Sequence, residues 1–251
     1  MFLLLGPPED LLCRDVYRGL LERGFEARII TSVFGGSARS EWELATARSS
    51  FHLEFHDDTK LTGSDIEGVF VARILGDWQQ QPGRQNRNHS VEEGAASLGW
   101  LWSLSCPVIN RYKPEFWFDR PASIADWKGR LEPFGLETAG PAGVSKSYTT
   151  TSGRHLAAVV GSRVIWDEGA PEHLHHVSGA LAQFTLSLGL EYVEFRLEDS
   201  PDKPRVQGVE LFPTYQEFCP SSRRKIVNEL VNLLTSRQSQ ASPRTVSDSW
   251  F

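Results

Sequence analysis

The sequence predicts an α/β protein that opens as a small, doubly wound parallel sheet. Three observations predict this class. The run "FLLL" at 2–5 is apolar without alternation, as expected of a strand covered on both faces. A helical stretch from Glu9 to Arg23 follows, with Leu12, Val16, Leu20 and Leu21 at helical spacing and Gly24 as its stop. "FEARIIT" at 25–31 then alternates and is β-branched, which completes a β-α-β unit.

The remaining elements follow in order. "FGGSARSEW" at 34–42 reads as a loop, and "SSFHLEFHDDTKL" at 49–61 as a hairpin turning at "HDDTK". Val69–Ile74 is a buried strand, and the polar stretch 76–89 an exposed loop. "SVEEGAASLGWLWSLS" at 90–105 is a helix with Ser90 as N-cap and Glu93 at the capping-box position. "CPVIN" at 106–110 is a short strand. A helix at 123–135 ends at Pro133 and Gly135. The Gly/Ser/Thr-rich stretch 137–153 is weakly structured. "RHLAAVVGSRVIWD" at 154–167 is a hairpin around Gly161–Ser162. A helix at 171–189 has Pro at its first turn and Gly at its end. Residues 193–213 supply two strands, 219–237 an amphipathic helix, and the Ser/Gln-rich tail from Gln238 is read as disordered. The domain expectation is 1–120 as an N-terminal α/β domain, 121–237 as an α+β core, and 238–251 as tail.

Composition narrows the function. With 251 residues, 40% of them hydrophobic, the chain can bury a real core. A net charge of -6 argues against a nucleic-acid partner, which needs a concentrated basic face. Cys13, Cys106 and Cys219 lack CxxC spacing and read as buried thiols in a reducing compartment. The "MFLLLGPPED" start has no basic n-region and is broken by Pro7–Pro8, so it reads as a core strand rather than a signal peptide. No apolar run approaches the roughly 20 residues of a membrane span. The expectation is a cytoplasmic protein.

The stretch "VEFRLEDSPDKPRVQGVELFP" places Glu194 and Glu210 inside two apolar strands. A buried carboxylate needs a partner. The order of elements and short patterns resemble the ATP-grasp superfamily. The patterns are "I-x-G-V-x-V-x-R" at 66–73, "PVIN" at 107–110, the "VVGSRV" hairpin, and paired strands ending "V-E-L-F-P". They are most similar to the branch of ribosomal-protein glutamate ligases and microviridin-maturing ligases. The resemblance implies a pre-ATP-grasp-like N-terminal domain and a truncated ATP-grasp core. It puts Glu194 and Glu210 at metal-ligand positions, where carboxylates would hold magnesium on ATP phosphates. Solvent exposure, or an ion pair with Arg196 or Arg205, are the other readings of the two glutamates. Phe212 stands where the family has an Asn ligand, and an aromatic ring cannot bind magnesium.

Between the helix at 123–135 and the "VVGSRV" hairpin the resembled family carries a small β-rich lid subdomain, and this chain reads as a degenerate member that lacks it. That interval holds about 18 residues, and Lys146 is the sole lysine among them. Lys146 is therefore the one cofactor-binding candidate there. Phosphoryl transfer depends on positioning and charge neutralisation, which a chain with six lysines supplies sparsely.

Other features carry paired readings. Arg73 ends a buried strand, where parallel sheets meet their ligands, and the resemblance puts it on the acceptor-substrate side. A structural ion pair is its alternative. His173 and His176 share a helix face but would need a third metal ligand, such as His155. "SRRK" at 222–225 is either a solvated face or an anion contact. "RYKPEFWFDRP" at 111–121, with Trp100, Trp102, Trp117 and Trp127, is core or a docking surface. The expected function is a non-catalytic ATP-grasp-like protein that binds a protein or peptide partner during maturation or assembly and needs no cofactor. The alternative is a Mg-ATP-dependent carboxylate–amine ligase acting through an acyl phosphate.

Overall fold

The computed structural model describes residues 1–34, 38–44, 49–72, 84–118, 123–139, 154–199, 203–211 and 214–236. The chain forms two compact units. One is Met1–Ile109 with the described residues from Val231; the other is Asn110–Leu230.

The first unit contains β1 (Phe2–Leu5), α1 (Leu11–Glu22), β2 (Ala27–Ile30), β3 (Ala38–Leu44), β4 (Ser49–Phe55), β5 (Lys60–Thr62), β6 (Gly68–Val71), α2 (Arg84–Ser103) and β7 (Val108–Ile109). Its main sheet has the order β2-β1-β6-β7, and every pairing is parallel. All four residues of β1 and of β6 are buried, which explains their unbroken apolar runs. The side chain of Asp10 caps α1 by accepting from the Cys13 amide at 3.0 Å. Gly68 is opposite Phe2, and a Cβ there would stand 2.9 Å from the Phe2 ring. Only glycine lets the two strands approach this closely.

Two expectations need correction. The stretch read as a loop at 34–42 contains β3, and β3-β4-β5 form a three-stranded antiparallel sheet. Arg39 pairs in register with Glu54, and Glu54 meets Lys60 at 3.1 Å. The charged outer positions of β3 hid its alternation. The helix read from Ser90 already runs from Arg84. Its polar first turns carry no apolar stripe, so periodicity could not find them.

The second unit contains α3 (Pro114–Phe118), α4 (Ile124–Leu131), β8 (Glu137–Thr138), β9 (Arg154–Val160), β10 (Arg163–Trp166), α5 (Ser178–Leu188), β11 (Tyr192–Glu198), β12 (Arg205–Glu210) and α6 (Pro220–Ser236) as far as Leu230. The five-stranded sheet has the order β10-β9-β11-β12-β8, antiparallel except for β8 against β12. One face packs on helices. Phe184 of α5 stands edge-on to Trp127 of α4 at 5.9 Å and to Phe195 of β11 at 6.0 Å. Residues 172–177 form a 3₁₀ helix rather than the first turns of α5. Among the described residues no helix is long and apolar enough to cross a membrane.

Candidate functional site

β11 carries the site because a two-residue period splits its side chains between faces. Val193, Phe195 and Leu197 are buried toward the helices. Tyr192, Glu194 and Arg196 take the other face. Glu194 and Glu210 are direct partners in the antiparallel register, so both carboxylates project from the same face. A bulge between Arg196 and Leu197 breaks the register beyond them.

Asn110 sets the start of β11. Its φ is 60°, a left-handed conformation that asparagine tolerates better than most residues. Its Oδ1 accepts from the amides of Glu191 and Tyr192 at 3.2 and 2.8 Å. Its Nδ2 donates to the Tyr192 carbonyl at 3.0 Å. The Tyr112 hydroxyl donates to the Leu211 carbonyl at 2.7 Å, just beyond β12. Burial raises the Tyr112 phenol pKa well above its usual range.

Glu194 is 1% exposed. Its Oε1 accepts from the Tyr192 hydroxyl. Its Oε2 accepts from the Thr214 amide at 2.6 Å and the Thr214 hydroxyl at 3.0 Å. Burial pushes this carboxyl up to about 7; the bonds from Tyr192 and Thr214 oppose the rise, and the Glu210 carboxylate adds to it. Glu210 is different. It is about one-third exposed and ion-paired with Arg196 at 3.4 Å. Arg196 also reaches Glu217 at 2.8 Å. Its stem runs over Gly208, where a Cβ would touch Arg196 Cβ at 3.7 Å and Glu210 Oε1 at 3.5 Å. The Nε of Arg196 is buried without a hydrogen-bond partner. Arg196 and Glu217 also line a pocket of ≈ 390 Å³ with Arg154, His155, Asp167 and Glu168.

The residues read from the sequence are distributed unevenly. Glu194 and Glu210 come together. Arg73, Lys146 and Phe212, and the tail from Gln238, lie outside the described residues. His173 pairs with Asp199 at 2.9 Å, and His175 stacks on Trp166 at 5.1 Å. Among the described residues no group of three or more His, Cys, Asp or Glu is placed to hold a metal. In the aromatic stretch at 111–121 the described rings face the core, while Pro114 and Glu115 are exposed. Tyr112, Phe116 and Trp117 are buried, as are Trp100 and Trp127, because ring packing fills both cores. Trp102 is exposed. Cys13 and Cys106 are buried, whereas Cys219 is half-buried with its Sγ 3.1 Å from the Ser221 hydroxyl. The sequence reading missed Asn110, Tyr192, Thr214 and Glu217. The one local signal was "PVIN", where an Asn follows a strand and is suited to a left-handed turn.

Magnesium, which the resemblance implies on a nucleotide, keeps several waters and binds through one or two carboxylates. In this arrangement Glu194 is closed to water and already accepts three hydrogen bonds. The Glu210 oxygen faces a guanidinium, and the orphaned buried atom beside it is an N–H donor. The residues do not fit a dication here.

No family model and no curated protein match the sequence. Solved structures do match it along nearly its full length. The chain is similar to macrocyclase MdnC from Microcystis aeruginosa MRC, bound with precursor peptide MdnA. The TM-score is 0.68 at 12% identity, over 94% of this chain and 99% of that one. It is similar to the ATP-grasp ligase PsnB complexed with a phosphomimetic variant of minimal precursor, Mg and ADP. That match has a TM-score of 0.67 at 14% identity, over 95% of this chain and 98% of that one. A Chryseobacterium gregarium RiPP-associated ATP-grasp ligase, in complex with ADP and a leader and core peptide, gives 0.64 at 11% identity, over 99% of each chain. At such identities the likeness is one of architecture, and with the sheets and helices described above it supports one conclusion: this chain has the ATP-grasp fold.

Proposed function

We propose that this chain is a non-catalytic ATP-grasp-fold protein that binds a peptide or partner protein, in the maturation of a modified peptide or the assembly of a protein complex. One observation carries the reading. The two carboxylates that the resemblance puts at metal-ligand positions are already engaged, Glu194 by Tyr192 and Thr214 and Glu210 by Arg196. Structurally similar proteins with bound precursor peptides support a peptide as the partner class. The mixed-charge pocket that shares Arg196 and Glu217 offers both signs of charge to a peptide side chain.

Thermal unfolding with millimolar Mg-ATP tests the absence of nucleotide binding. A ligand well above its dissociation constant stabilises by a few kcal/mol. We expect no shift; an upward shift that Glu210→Gln abolishes contradicts the proposal. Native co-purification, identification of the peptide and titration of the purified peptide test the second half. Binding should be indifferent to nucleotide and weakened by Arg154→Ala.

The direct pairing of Glu194 with Glu210 favours a second reading, a carboxylate–amine ligase. In it the two glutamates hold magnesium, Lys146 contacts the nucleotide and Arg73 holds the acceptor. It requires Arg196 to leave Glu210 and Glu194 to open to water.

A further inference from the structure

We propose that Arg196 is a built-in cation that takes the place of a divalent ion at this site and so determines that the fold works here without one. This deepens the non-catalytic reading and rests on it. The guanidinium lies 3.4 Å from Glu210 and 2.8 Å from Glu217, so one charge bridges two carboxylates. A dication held by Glu194 and Glu210 would compete with the guanidinium for the Glu210 carboxylate. Arginine suits the role because its fork is planar, permanently charged and able to meet two carboxylates at once.

Its path is also built. Arg196 follows Glu194 on the same face, and Gly208 opposite it carries no side chain, so the stem can fold back toward Glu210. Nε is buried over this path with no acceptor. Each ion pair is part-exposed and individually weak. Exclusion therefore rests on occupancy together with like charge: a dication would have to displace the guanidinium from Glu210 and sit within a few ångströms of it, against a repulsion that solvent screens but does not abolish.

The experiment uses Mn²⁺ alone as the probe, titrated into the full chain without nucleotide and followed calorimetrically and by electron paramagnetic resonance. The wild type and Arg196→Lys should take up no ion in a Glu210-dependent way at millimolar metal. Arg196→Ala and Arg196→Met should bind Mn²⁺ at least about tenfold more tightly than the wild type, and adding Glu210→Gln should remove the gain. The two neutral variants differ in bulk, which guards against one failing to fold. If both fold by circular dichroism yet bind no tighter than the wild type, the role of Arg196 is overturned while the peptide-binding reading stands. If the wild type itself binds Mn²⁺ and loses it with Glu210→Gln, both fall. That comparison needs no Arg196 variant.

Discussion

The two main sheets bury their strands in different ways. In the parallel sheet of the first unit, β1 and β6 are buried along their whole length, and each position asks for an apolar side chain of the right volume. In the antiparallel sheet of the second unit, β11 is nearly as buried, yet one face holds Val193, Phe195 and Leu197 and the other Tyr192, Glu194 and Arg196. Equal burial does not mean equal chemistry. The first sheet is specified by packing, and the second also by a hydrogen-bond network whose members cannot be exchanged for alkyl groups.

The largest expected effect tests the packing side. Phe195→Ala removes a fully buried ring and should destabilise the chain by about 3–5 kcal/mol in urea unfolding, much as Leu4→Ala should by about 2–5 kcal/mol. If Leu4→Ala were near neutral, the contrast would fail, because the parallel sheet would then tolerate voids. The next prediction concerns pH. The Glu194 carboxyl is held at about 7 in the fold against 4.5 unfolded. Between those values the folded state keeps a proton that the unfolded state releases, so stability should fall as pH rises through this window and level off above it, once this group's contribution is gone. The loss is on the order of 3 kcal/mol. Glu194→Gln should flatten the curve, since an amide can still accept from Thr214 while donating to the Tyr192 oxygen. An unchanged slope would show that Glu194 titrates normally.

Asn110→Ala should cost about 1–3 kcal/mol, because the amides of Glu191 and Tyr192 lose their acceptor. Asn110→Gly separates the side-chain bonds from backbone strain; recovery by glycine would mean that φ, not the network, governs the site. The smallest effect is the control. Glu132→Gln breaks an exposed pair with Lys128 at 3.9 Å and should change stability by less than about 0.5 kcal/mol.

Much of the architecture was legible in the residues. The β-α-β opening, the hairpin around Gly161–Ser162, the paired strands around Glu194 and Glu210, and the final helix each follow from local periodicity and stop signals. β3 was missed because the polar residues flanking Trp42 resemble a loop. The 3₁₀ run at 172–177 was missed because a three-residue repeat and the start of an α-helix share one sequence pattern.

What the sequence determined alone was the α/β class, the strand that carries Glu194 and the strand that carries Glu210, because period and composition are local properties. Tertiary structure decided what those carboxylates meet. Thr214 reaches Glu194 from 20 residues away, and Asn110 reaches Tyr192 from 82. In the sequence Arg196 reads only as an ion-pair partner. Register placed it between two acids, and burial raised the proton affinity of Glu194. Neither register nor burial is a property of a residue; both arise only when distant segments exclude water together.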